Sequence, residues 1–265
     1  MEPMRTRGVR DTVRRRVLAA PRISRIARLL HVDNGSTQTT YDHQLVSWYQ
    51  DELHDLTRFY CRAFQALIYN GIEGDYAEFG CFGAKTFTQA WRARQVVGHA
   101  AHLWAFDSFE GLPQASDPRD VHLGWTEGAM SMTEADFVAT CLAEGVHRNS
   151  FTTVPGFYAS SLAPDANGRR PDTICFAYID CDLYTSTLDA LWFVVPRLCH
   201  GAVIACDDYF CYSKTHPSGE RLAITEIFAD HPRWRLIPYI QWGWYGMSFL
   251  VEDRTTGPAR DIVGL

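Results

Sequence analysis

Ile174-Cys175-Phe176-Ala177-Tyr178-Ile179 runs into Asp180-Cys181-Asp182, and one helix-length later Ala202-Val203-Ile204-Ala205-Cys206 runs into Asp207-Asp208. Apolar runs this short, separated by a helical pattern, read as parallel strands buried on both faces of an α/β sheet. Ligands of such sheets bind beyond the carboxyl ends of the strands. Four carboxylates therefore stand where an α/β protein holds its ligand.

The same alternation extends in both directions. Upstream, Tyr76–Phe79, Leu103–Phe106 (closing on Asp107) and Phe151–Val154 (stopped by Pro155-Gly156) read as strands, with helices predicted over 84–95 and 133–144. Thr133 suits the N-cap of the second helix. A further helix is predicted from Ser186, in a Ser186-x-x-Asp189 capping pattern, with Pro196 shortening it before Gly201. Another follows over 220–230. Runs 234–240 and 247–252, joined by a short loop with Gly and Trp, read as a hairpin. The predicted architecture is a Rossmann-like, doubly wound sheet, mostly parallel, with an antiparallel strand near its end and helices on both faces.

Ahead of the sheet, residues 43–70 carry apolar positions at helical spacing, among them Leu45, Trp48, Tyr49, Leu53, Leu56, Phe59 and Tyr60. Residues 1–40 are read as a basic arm ending in a polar linker, Asp33 to Thr40, and 41–265 as one domain whose first part, 41–70, is a helical extension. Nine arginines against two acids make the first thirty residues +7, so in a chain of net charge −6 the remainder is −13. The arm lacks the apolar core of a secretory signal, and no run is long enough to span a bilayer. It reads as a helical cover for the body or a neighbouring subunit, as a transit peptide, or as a weak contact with an anionic membrane surface.

With 265 residues, 46% hydrophobic and 21% charged, the chain has the composition of a globular domain with a sizeable core. Its net acidity gives no encouragement to nucleic-acid binding as the main function. Eight scattered cysteines, none in a Cys-x-x-Cys pair and several inside apolar strands, fit free thiols in a reducing cytoplasm rather than a disulfide frame or a zinc site.

Glu78-Phe79-Gly80-Cys81-Phe82-Gly83-Ala84-Lys85-Thr86 links the first strand to its helix. Glycine there permits a tight turn and close backbone approach to a ligand. The loop is neither a P-loop nor a Gly-x-Gly-x-x-Gly turn. An acid at Glu78 suits a cationic ligand end better than a pyrophosphate. Asp107 stands where an acid accepts both ribose hydroxyls. Together they favour S-adenosylmethionine (SAM) over NAD, against the plainer reading of a strand-end turn with two solvated acids.

The aspartate clusters lie about one α/β unit apart. Strand alternation would put Asp180 and Asp182 on one side and Cys181 on the other. Carboxylates without a histidine or cysteine favour a hard ion, Mg²⁺ first, then Mn²⁺ or Ca²⁺. The competing reading has the acids capping helices or pairing with Lys214, Arg221 or His216. A bound ion would lower the pKa of an acceptor hydroxyl, and Asp182 or Asp207 could take its proton.

Glu78–Thr86, Phe106–Pro113, Tyr178–Thr187 and Asp207-Asp208-Tyr209 together resemble the macrocin O-methyltransferase family, over roughly residues 70–252. These are class I, SAM- and metal-dependent enzymes that methylate sugar hydroxyls of natural products. The resemblance implies a metal site at Asp180, Asp207 and Asp208. It implies a SAM site at Glu78, Phe79, Gly80, Cys81, Gly83, Thr86, Asp107, Ser108 and Phe109, and a base at Asp182 or Asp207. It implies a small hydroxylated acceptor, a glycoside or polyol, and a homo-oligomer. The glycine loop departs from the family pattern, with Ala84 where a glycine is expected.

Two other readings stay open: the same chemistry on a catechol or phenol, and a protein that binds SAM without transferring methyl. Tyr209, Phe210, Tyr212, Trp242, Trp244 and Tyr245 can stack on an acceptor or pack in a core or interface. The glycine-flanked segment 124–130 suits a movable lid.

Overall fold

A computed structural model describes residues 38–122, 124–211, 217 and 219–255; the basic arm up to residue 37 lies outside them, as do Tyr212, Lys214 and His216. The chain divides into two compact units at Asp55/Leu56, and the second carries the sheet.

Helix α1 spans Gln38–Tyr69, so Gln38, Thr39 and Thr40 open a helix instead of closing a linker. Within the sheet-bearing unit its buried stripe is Leu56, Phe59, Tyr60, Ala63, Phe64 and Leu67, the spacing of one helical face. Side chains at Leu45, Trp48 and Tyr49 lie outside the described residues.

The sheet contains β1 (Asp75–Phe79), β2 (Leu103–Asp107), β3 (Phe151–Pro155), β4 (Ile174–Ile179), β5 (Leu198–Cys206), β6 (Trp234–Trp242) and β7 (Gly246–Asp253), in the order β3-β2-β1-β4-β5-β7-β6. β7 runs antiparallel to both β5 and β6, and the other pairings are parallel. Every residue of β4 is buried, which explains its unbroken apolar sequence. The helices between strands are α2 (Lys85–Val97), α3 (Glu134–Ala143), α4 (Tyr158–Ser161), α5 (Tyr184–Val194) and α6 (Gly219–Phe228). Among the described residues, no helix is long and apolar enough to cross a membrane.

Side-chain alternation separates two cores. Tyr76, Phe176 and Tyr178 face Phe59, Tyr60 and Phe64 of α1. Ala77, Phe79, Ala177 and Ile179 face Ala190, Leu191 and Val194 of α5 and Ala223 and Ile227 of α6. The first core is aromatic: Phe59 stacks on Trp242 at 4.1 Å and Tyr60 on Tyr178 at 5.4 Å between ring centroids.

Caps follow local chemistry in one case and tertiary contact in another. Thr133 Oγ1 accepts the Asp136 N–H at 3.1 Å, the cap its sequence predicts. Ser186 does not start a helix: α5 begins two residues earlier, after Leu183, which offers no capping side chain. Asp120, buried in the loop after β2, supplies the cap instead by accepting the Thr185 N–H at 3.0 Å and the Thr185 hydroxyl at 2.8 Å. Pro196 lies in the turn Val195–Arg197 that ends α5, as expected of a residue with no N–H to give.

The strand order reverses between β1 and β4, because β2 and β3 extend one way from β1 while β5 extends the other way from β4. This is the switch point at which open α/β sheets bind ligands. Register makes it specific. Phe106, Phe79, Ile179 and Cys206 pair across β2, β1, β4 and β5, so Asp107, Gly80, Asp180 and Asp207 form the next row. A Cβ on Gly80 would lie 1.9 Å from the Asp180 carbonyl oxygen, and its φ is +91°. Gly83 has φ +75° but open space around it. Gly80→Ala should therefore cost about 3 kcal/mol or more, from clash and backbone strain together. Gly83→Ala should cost about 1 kcal/mol from strain alone. Urea denaturation of the two variants measures the contrast, and equal losses would contradict the packing argument.

Candidate active site

The loop after β1 is held by the strand beside it. Asp107 Oδ2 accepts the Cys81 N–H at 2.6 Å, and Oδ1 accepts the Phe109 N–H at 2.7 Å. Burial pushes the Asp107 carboxyl above its ordinary range, opposed by those two amides. The glycine turn and the acid after β2 are thus one unit. Ala84, where the family pattern expects glycine, has φ +54°, the left-handed region that glycine enters without strain. Ser108 Oγ donates to the Gly111 carbonyl at 2.8 Å, and Phe109 is buried with φ +57°.

Glu78 differs from the expected open carboxylate. It is fully buried; Oε1 accepts the Thr86 hydroxyl at 2.7 Å, and Oε2 accepts the Tyr76 hydroxyl. Tyr76 and Tyr60 hydroxyls lie 3.2 Å apart, so the chain of bonds reaches α1. Burial pushes the Glu78 carboxyl up to about 8 against the lowering effect of the Tyr76 and Thr86 hydroxyls, with Asp207 and Asp107 adding to the rise. Burial therefore favours its neutral form, and the two hydroxyls favour its charged one. Its geometry makes it an interior strut between β1 and α2.

Beyond β4 and β5 the carboxylates take different stations. Asp182 has φ +59°, so the chain has left the strand and the alternation argument for a shared face with Asp180 does not apply. Asp207 Oδ1 accepts the Tyr178 hydroxyl at 2.5 Å and faces Trp242 Nε1 at 3.4 Å. A different acid completes the cluster: single carboxylate oxygens of Asp180, Asp208 and Glu220 all lie within 4.8 Å of one another. Among the described residues this group has no histidine or cysteine, and a hard divalent ion fits such a donor set. Burial raises the Glu220 carboxyl well above its ordinary range, and the negative charges of Asp208, Asp180 and Asp207 raise it further. A bound cation would reverse that repulsion.

The sequence reading missed Glu220. The signal available was an acid at the start of a helix predicted to follow the Asp207-Asp208 strand. Of the alternative partners proposed for the acids, Arg221 stacks over the Tyr209 ring at 5.6 Å. Trp242 and Tyr245 are buried in the aromatic core, whereas Trp244 is 58% exposed. The segment expected to be a lid is tied down by main-chain bonds from Leu112 N–H to Ala129 O and from Gly128 N–H to Leu112 O, both 2.9 Å. All eight cysteines are free thiols.

The sequence profile described as Macrocin-O-methyltransferase (TylF) matches residues 54–222. A relative from Streptomyces olivaceus, 8-demethyl-8-(2,3-dimethoxy-alpha-L-rhamnosyl)-tetracenomycin-C 4'-O-methyltransferase, is 28% identical over 63% of this chain and 66% of its own length. Demethyldecarbamoylnovobiocin O-methyltransferase from Streptomyces niveus is 29% identical over 54% of this chain and 55% of its own. The chain thus spans less than two thirds of either relative. The solved O-methyltransferase NovP shares the fold, with TM-score 0.61 and 21% identity, over 74% of this chain and 79% of that one. So does the calicheamicin methyltransferase CalS11, with TM-score 0.55 and 20% identity, over 86% and 90%.

The Glu78 environment predicts a pH effect. Its folded value, about 8, lies above the ordinary 4.5, so the stability it contributes is complete below pH 4.5 and is lost as pH rises through about 8. Glu78→Gln, which cannot ionise, should lose less stability than wild type between those limits. Thermal midpoints of both proteins across that range check it; a difference that stays constant with pH would count against the raised value.

Proposed function

Since the chain belongs to the macrocin O-methyltransferase family, we propose that it transfers the methyl group of SAM to a hydroxyl of a small acceptor, a sugar unit of a natural product, with a divalent ion, Mg²⁺ first, bound beside it. The observation that carries this reading is the row Asp107, Gly80, Asp180 and Asp207 across the switch point. It sets a ribose-type acid and a glycine turn directly against a carboxylate cluster. The name of one relative supports the acceptor class, since it prints a rhamnosyl tetracenomycin; the other names demethyldecarbamoylnovobiocin. The eight free thiols support a cytoplasmic setting.

In this reading the Gly80–Gly83 turn and the Asp107–Phe109 segment hold the methyl donor, with Asp107 receiving ribose hydroxyls through lone pairs its two amide bonds leave over. Phe79 stacks on Phe106 at 4.7 Å and fixes the two strand ends. Glu78 and Thr86 brace the turn from inside. SAM supplies an activated methyl on a sulfonium. Asp180 and Asp208, in the cluster that Glu220 completes, would hold the ion, which would supply Lewis-acid polarisation of an acceptor hydroxyl. The acceptor proton passes to Asp182 or Asp207. Holding donor and acceptor in line contributes much of the rate.

The test is S-adenosylhomocysteine release from SAM with a panel of rhamnosides and other deoxysugar glycosides beside catechols, with Mg²⁺ or EDTA. Expected are turnover on a glycoside, its loss in EDTA and its return with excess Mg²⁺. Asp208→Asn should lower turnover at least a hundredfold and leave SAM affinity unchanged. Turnover on catechols alone would move the acceptor class. A SAM-induced rise in melting temperature with no product on any acceptor would favour a SAM-binding protein without transfer.

A further inference from the structure

We propose that Glu220 is a positioning residue that clasps the two aspartate-bearing loops into the geometry the divalent ion requires; this rests on the metal-dependent reading above. The β4–β5 ladder ends at Ile179 and Cys206. Past it, the last main-chain link between these exits among the described residues is the Asp207 N–H donating to the Ile179 carbonyl at 2.9 Å. Asp180 and Asp208 lie on the segments just beyond. The fully buried Glu220 spans them: Oε1 accepts the Cys181 N–H at 3.2 Å and Oε2 accepts the Asp208 N–H at 2.8 Å. One carboxylate thereby continues the ladder where the backbone no longer can. It grips the residue after Asp180 on one loop and Asp208 itself on the other.

A second contact makes the clasp rigid. A Cβ on Gly219 would lie 2.6 Å from the Tyr184 amide nitrogen and 2.8 Å from the Asp182 carbonyl oxygen. The first residue of α6 is therefore pressed against the turn between β4 and α5, and Glu220 has little freedom to shift. The arrangement calls for two acceptors on one side chain. Glutamine offers one, and its amide would aim a donor at a main-chain N–H. Asparagine or aspartate is one methylene too short to bridge both amides.

The test uses the full-length protein saturated with S-adenosylhomocysteine and titrated with Mn²⁺, followed by electron paramagnetic resonance of the free ion. Glu220→Gln is expected to weaken Mn²⁺ binding at least tenfold while S-adenosylhomocysteine affinity stays within twofold of wild type. Gly219→Ala, which keeps the carboxylate but displaces its helix, is expected to weaken Mn²⁺ binding in the same direction. A folded Glu220→Gln protein with Mn²⁺ affinity within twofold of wild type would overturn the inference and leave the metal reading standing. Parallel loss of both ligands and of melting temperature would overturn it too, because a purely structural role moves all three. If wild type and Asp208→Asn are equally indifferent to Mn²⁺, the metal reading falls and this inference with it.

Discussion

Contact between the Gly80 backbone and the Asp180 carbonyl governs the ligand-binding end of the sheet. At that place two strands running in the same direction hand their chains to helices on opposite faces, and a side chain on Gly80 would have to occupy the Asp180 oxygen. Close approach puts the loop after β1 and the loop after β4 in one row with Asp107 and Asp207. The glycine turn then lies immediately beside the acids that follow β4 and β5. Asp107 reinforces the arrangement by holding the Cys81 and Phe109 amides together.

Beneath that row, the face covered by α1 has an unusual interior. Glu78 and Asp207 are both buried on it, each accepting from a tyrosine hydroxyl of its own or the neighbouring strand, and Tyr60 of α1 lies between those tyrosines. Buried acids are tolerable only when their oxygens are bonded. The α1 helix is thus part of the wall behind the site, through Tyr60 and through Phe59 stacked on Trp242. An extension that adds only apolar cover would not need a hydroxyl in that position.

Periodicity and punctuation made most of the fold legible. Strand β4 matched its predicted limits because an all-buried strand is an unbroken apolar run ended by charge. Thr133 capped α3 because its bond is three residues long and needs no tertiary context. Ser186 failed for the opposite reason. Its local pattern competed with a cap delivered by Asp120, some sixty-five residues away in sequence, whose paired bonds to Thr185 are worth about 1 kcal/mol or more. The position of Asp182 was misjudged because alternation holds only while the chain remains extended, and the backbone turns left-handed there.

For the site, the sequence alone determined which residue types collect at the strand ends: glycine and an acid after the early strands, aspartates after the later ones. That follows from local chemistry, since apolar runs end where polar residues begin and strand ends face the ligand side. Only the tertiary structure decided which partners those acids take. Asp207 turns toward Tyr178 and Trp242, Glu78 is sealed inside, and Glu220 reaches in from α6 to join Asp180 and Asp208. Those assignments depend on side chains brought together from distant parts of the chain, and on burial, which sets the charge a carboxyl can carry. Neither is encoded by spacing along the sequence.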